Sequence, residues 1–172
     1  TNYMFARAFQ AQRALGNRPD CVITVNVPAT VASSISWAEG VAERAEQAGV
    51  EPDRIVIEIT EDGGARSNAA LAGAITQLRL RGFSCAIDDF GTGDSSLDRL
   101  LCAPFDELKI DRDLIARATR QSHAQSVLAS TVEMARSLDM TVVAEGVESH
   151  EDHEMVRALG VQVTQGYFHG RP

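Results

Sequence analysis

Short apolar runs rich in β-branched residues alternate along this chain with longer segments whose apolar residues recur at helical spacing, a pattern that predicts a parallel sheet with helical crossovers. Six runs are predicted strands: Cys21 to Val27, Arg54 to Ile59, Phe83 to Asp89, Phe105 to Ile110, Met140 to Glu145 and Val161 to Gln165. A helix is predicted at the start, from Tyr3 to Leu15, and others over Trp37 to Ala48, Arg66 to Arg81 and Leu114 to Leu138. Leu71, Ala74, Ile75 and Leu78 mark one such helix face. Three helices end alike, at Ala48-Gly49-Val50, Arg81-Gly82-Phe83 and Leu159-Gly160-Val161, where a glycine can turn the backbone toward the next strand.

The opposite corners, from strand to helix, carry the polar residues. Each aliphatic run finishes in a side chain able to bind a cation or polarise a ligand: Asn26, Glu58, Asp88 with Asp89, Lys109, Glu145 and Gln165. Parallel α/β folds place their active sites at the carboxyl ends of the strands. Six polar strand ends in succession therefore predict one shared site.

Asp88 and Asp89 are the sharpest part of this pattern. Two neighbouring carboxylates repel, so a buried pair needs a cation or a proton between them. Successive strand side chains face opposite ways, so both can serve one site only where the strand ends. An Asp-capped turn is the plain alternative for Asp88 to Gly93. Glu58, set between Ile57 and Ile59, is predicted to be buried and to need a counter-charge. Lys109 is the one cation among the strand ends, placed to hold an anionic oxygen or a metal-bound water, or to form a salt bridge with Asp111 or Asp89. Glu61 reads as a cap or a loop-bracing acceptor, Glu148 as a residue favoured by a helix dipole, and Gln165 as an amide able to meet a ligand or backbone.

Hard oxygen donors predominate at these ends, which favours magnesium or manganese over zinc. His123, His150, His153 and His169 fall in helices or loops instead, and His150 with His153 is assigned to an exposed helix face.

Composition narrows the class. With 172 residues, 44% of them hydrophobic, and no low-complexity tract, the chain is expected to be one globular domain. Its net charge of -8 argues against non-specific attraction to nucleic-acid polymers or anionic membranes. An anionic substrate would need a metal to bring it in. Cys21, Cys85 and Cys102 read as reduced core thiols. No signal peptide or long apolar run is present, so a cytoplasmic protein without direct membrane contact is expected. A closed (β/α)8 barrel needs eight strands and about 250 residues. Six strands point to a TIM-like (β/α) barrel truncated at its amino-terminal side, with an open doubly wound sheet as the alternative.

The ordered motifs resemble the EAL-domain family of cyclic di-GMP phosphodiesterases. They are Val25-Asn26-Val27, Glu58-Ile59-Thr60-Glu61, Asp88-Asp89-Phe90-Gly91-Thr92-Gly93, Lys109-Ile110-Asp111, Ala144-Glu145-Gly146-Val147-Glu148 and Gln165-Gly166-Tyr167. The resemblance implies a modified TIM barrel that opens cyclic di-GMP to linear pGpG in bacterial second-messenger signalling. It implies that Asn26, Glu58, Asp88, Asp89 and Glu145 bind two Mg2+ or Mn2+ ions. Lys109 would help to hold the attacking water, Gln165 would line the site near water and phosphate, and Glu61 would brace the loop from Phe90 to Ser96, which couples the site to a homodimer contact. The family's Glu-Ala-Leu triplet, whose glutamate is a metal ligand, does not occur here. It is expected before Thr1, so residues 1–172 are expected to be the carboxyl-terminal part of a single EAL-type domain, weakly active or inactive alone, in a parent with upstream sensor or signalling domains. Asp94 stands where the family usually has an aromatic residue, and Pro28 where it has serine.

A non-catalytic cyclic di-GMP receptor or protein-interaction module is the competing expectation, since a fold can outlive its chemistry. A glycosidase could also use paired carboxylates, but the lysine beside adjacent aspartates suits phosphate chemistry better.

Overall fold

A computed structural model describes residues 2–16, 21–60, 68–90 and 96–171, apart from the side chain of residue 96. The chain forms two compact units, Thr1–Ile87 with Leu97–Phe105, and Asp88–Ser96 with Asp106–Pro172.

In the first unit, α1 (Asn2–Leu15) leads to β1 (Ile23–Pro28), followed by a single turn of helix, α2 (Ala29–Ala32), and then α3 (Ile35–Ala48). Next come β2 (Ile55–Thr60), α4 (Asn68–Leu80) and the start of β3 (Ser84–Phe90). The three strands pair in parallel, Asn26 opposite Glu58 and Glu58 opposite Ala86. Residues Ile55 to Ile59 of β2 are all buried, because a central parallel strand is covered on both faces. Leu71, Ala74, Ile75 and Leu78 are the buried face of α4, as their spacing predicts. β1 alternates instead, with Val25 and Val27 buried and Thr24 and Asn26 exposed. The short α5 (Ser96–Cys102) exposes Leu97, Leu101 and Cys102. Cys102 is therefore a surface thiol, correcting the core assignment; Cys85 is buried and Cys21 partly so.

The second unit takes the end of β3 and adds β4 (Glu107–Ile110), α6 (Arg112–Ala118), α7 (Ser122–Ser137), β5 (Thr141–Ala144), α8 (His150–Ala158) and β6 (Val163–Thr164). β4 pairs with β5 and β5 with β6, again in parallel. In both units each strand pairs with the next along the chain. A doubly wound sheet would reverse its order at a switch point, and neither unit does.

The helix predicted from Leu114 to Leu138 is two helices. The Thr119 hydroxyl donates to Asp152 Oδ1 of α8 at 2.7 Å and lies 3.1 Å from the Ile115 carbonyl, while Gln121 adopts an extended backbone that starts α7. Hydroxyl side chains compete with the helix ladder in this way. Burial pushes the Asp152 carboxyl up, but hydrogen bonds from Thr119 and Ser149 and from the Ser149 and Glu148 backbone outweigh it and hold Asp152 below its ordinary range. Ser149 and Asp152 form a capping box at the start of α8. The glycines that end α3, α4 and α8, Gly49, Gly82 and Gly160, all have positive φ.

Candidate active site

In the first unit, the parallel register sets two predicted ligands side by side. Asn26 of β1 lies opposite Glu58 of β2, and Glu58 is 4% exposed. Both side chains of such a pair point to the same face of the sheet. Glu58 is thus the buried carboxylate that its apolar neighbours predict.

In the second unit, Asp88 and Lys109 lie near the carboxyl ends of β3 and β4, and Glu145 directly follows β5. Lys109, 6% exposed, places Nζ 2.5 Å from Glu145 Oε1 and 3.9 Å from Asp88 Oδ1. Removing one partner of such a buried set would strand an uncompensated charge. Lys109 therefore pairs with Glu145 and Asp88, and the Asp111 bridge raised by sequence does not form. Asp111 instead caps α6, accepting from the Asp113 backbone.

Asp88 and Asp89 separate at the strand's end. Asp88 Oδ1 accepts from the Asp89 backbone N–H at 2.9 Å, and Asp89 has φ 51°, in the left-handed region that few non-glycine residues occupy. Strain of this kind persists where surrounding structure holds it, often at functional sites. Strict strand alternation is broken at that residue, as a shared role for the two carboxylates requires.

Asp88 and Glu145 each offer a carboxylate oxygen, and the two lie within 4.8 Å of each other. Oxygens on opposite sides of a magnesium ion lie roughly 4.2 Å apart, so small side-chain adjustments would let the two share a hard divalent cation. The donor chemistry and spacing fit such a metal.

Gln165 is brought to the same corner. Its backbone N–H donates to the Ala144 carbonyl at 2.8 Å, and its carbonyl accepts from Val147 at 3.0 Å. A cavity of about 260 Å³ is lined by Glu145, Gln165, Asp111, Arg112, Glu148 and Tyr167, among others. Arg112 was not singled out by the sequence, and Tyr167 entered only as part of the motif Gln165-Gly166-Tyr167. Arg112 had a signal: it is a cation in the first turn of a helix, against the dipole, and its guanidinium pairs with Glu148 at 3.9 Å. Glu148 precedes the helix cap instead of opening α8. Glu61 and residues 91–95, including Asp94, lie outside the described residues.

The whole sequence, residues 1–172, matches the EAL domain family. The chain belongs to the EAL-domain family. It is similar to the cyclic di-GMP phosphodiesterase RocR of Pseudomonas aeruginosa, at 32% identity over 170 residues, covering 98% of this chain and 43% of RocR. Among solved structures, the PaMucR phosphodiesterase in a c-di-GMP complex is 33% identical with a TM-score of 0.86, covering 98% of this chain and 69% of that one. BlrP1 of Klebsiella pneumoniae, in a manganese and cyclic di-GMP complex, is 30% identical with a TM-score of 0.81, covering 97% and 42%. This EAL chain spans less than half the length of the curated relatives it matches first. Its fold is the TIM-like α/β fold that the strand and helix alternation predicts. Among the described residues, no helix of this EAL domain is long and apolar enough to cross a membrane.

Proposed function

We propose that this EAL domain serves the metal-dependent hydrolysis of cyclic di-GMP to linear pGpG in bacterial second-messenger signalling. The observation that carries the reading is Lys109, buried at a strand end with its ammonium against Glu145 and near Asp88. A lysine held among carboxylates suits a centre that handles phosphate, and the named relatives act on or bind this dinucleotide.

In the proposed site, Asn26, Glu58, Asp88, Asp89 and Glu145 hold two Mg2+ or Mn2+ ions. Strand periodicity supports the grouping, because Ala86 stands opposite Glu58 and Asp88 lies two residues further along the same strand. When bound there, the ions would lower the pKa of a water and offset charge on the phosphodiester. Lys109 donates a hydrogen bond to the attacking water and orients it. The water oxygen bonds to phosphorus in line with the departing 3′ oxygen, the P–O3′ bond breaks, and that oxygen takes up a proton to leave pGpG. The Gln165 amide meets the water or a phosphate oxygen, a role supported by the backbone bonds of Gln165 to Ala144 and Val147 beside Glu145. Upstream domains of a cytoplasmic parent regulate the reaction.

Incubating the natural-length protein with cyclic di-GMP and Mn2+ tests this directly. Linear pGpG is the expected product on chromatography. Tight nucleotide binding by calorimetry with no turnover would replace the reading with that of a receptor.

A further inference from the structure

The segment that carries Gln165 is anchored on two sides. On its inner side it lies flat against the residues after β5. Gln165 bonds to Ala144 and Val147, and the Phe168 N–H donates to the Val147 carbonyl at 3.0 Å. At Gly166, with φ 156°, an added Cβ would sit 2.2 Å from the Val147 carbonyl oxygen. That approach admits no side chain.

On its outer side the segment meets histidines that the proposed reaction leaves unused. The His153 imidazole of α8 stacks on Phe168 with ring centres 4.9 Å apart and planes at 23°. His150 lies on the same ring at 6.1 Å, and His169 meets both Phe168 and His153 edge-on. The His169 Nε2 is 2.7 Å from the Thr164 hydroxyl. His150 and His153 both meet the phenyl ring, and among the described residues no group of three or more potential metal ligands includes them. Among the described residues, buried His153 Nδ1 has no hydrogen-bond partner, and the stack on Phe168 is the contact that sets the plane of the ring. The exposed helix face expected for His150 and His153 is thus partly covered.

We propose that His153 is a positioning residue whose stack on Phe168 clamps residues 165–169 and so fixes the Gln165 amide beside Glu145. β6 has only two residues, so the strand ladder by itself is a short anchor for an amide that must hold its orientation. The aromatic stack supplies a contact independent of the backbone bonds. This inference rests on the proposed phosphodiesterase reading for the role of Gln165, while the clamp itself is a separate physical claim.

The test compares wild type, His153→Ala, His153→Phe, Gln165→Ala and the His153→Ala/Gln165→Ala double variant in the natural-length protein. Amide hydrogen exchange at Val147 and Phe168 should quicken roughly five- to tenfold in His153→Ala. Exchange at Glu145, whose N–H is held by the Ile110 carbonyl, should stay unchanged, and this amide reports whether the unit is still folded. His153→Phe, which keeps an aromatic stack, should restore wild-type exchange. In turnover of cyclic di-GMP, His153→Ala should lower kcat about tenfold with KM within about twofold. The double variant should be no slower than Gln165→Ala, because both changes remove one function. Unchanged exchange at Val147 and Phe168, or independent multiplying losses in the double variant, would overturn the clamp. Wild type that makes no pGpG would overturn the phosphodiesterase reading instead, and the exchange data would still decide the clamp.

Discussion

Gly49, where α3 turns toward β2, and Gly146, two residues beyond β5, hold nearly the same backbone angle, φ 63° and 62°. At Gly49 an added Cβ would meet none of the described residues within 4 Å, whereas at Gly146 it would sit 2.1 Å from Cβ of Arg112. The first glycine answers only to backbone geometry. The second also answers to a neighbour that lines the cavity with Glu145 and Gln165. The corner that feeds a strand can tolerate bulk; the corner that leaves one for the site cannot.

Substitution should separate the two corners most widely at Gly146. Gly146→Ala combines a left-handed alanine with a clash at the base of the Arg112 side chain, and should cost roughly 3–4 kcal/mol in denaturant unfolding. It should also lower turnover, because Arg112 must move. Gly49→Ala, with open space around it, should cost only about 1–2 kcal/mol and leave kcat unchanged. Equal costs at the two positions would erase the distinction.

A smaller effect extends the contrast along one strand. Glu107 begins β4, two residues before Lys109 and so on the same face. Burial raises the Glu107 pKa above its ordinary 4.5, repulsion from Asp106 adds to this, and Lys109 offsets part of it. The folded state therefore carries a penalty when Glu107 is ionised. That penalty is complete above the raised folded pKa, shrinks as pH falls through it, and vanishes below 4.5. Glu107→Gln should accordingly raise Tm by about 2 °C at pH 7 and leave it unchanged at pH 4. A gain that persists at pH 4 would show that the penalty is not one of ionisation. Charge at the start of this strand is a liability; at its end it is paired.

The elements readable in the sequence were those whose burial is set within one segment. β2 lies within one residue of its predicted span, because a run such as Ile55-Val56-Ile57 has few other homes in a parallel sheet. The break between α6 and α7 was hidden, since it depends on Thr119 reaching Asp152, a residue 33 positions away. The single-turn α2 and the seven-residue α5 are too short to show a helical period. The polar residues near the strand ends could be named from the sequence, whereas their partners could not. Lys109 could have met Asp111 or Asp89, and only the β4–β5 register sets it against Glu145. The place of Tyr167 at the cavity and the stack of His153 on Phe168 depend on the loop after β6, whose course no local pattern gives.

The proposed hydrolysis requires that the strand-end carboxylates hold a metal. The most direct measurement is the Mn2+ concentration giving half-maximal cyclic di-GMP hydrolysis, in metal-stripped natural-length protein and in its Asp88→Asn variant. The account predicts no turnover without metal, activity restored by Mn2+ in wild type, and a half-maximal concentration at least about tenfold higher in Asp88→Asn. Hydrolysis that survives in chelator, or one Mn2+ dependence shared by both proteins, would contradict it.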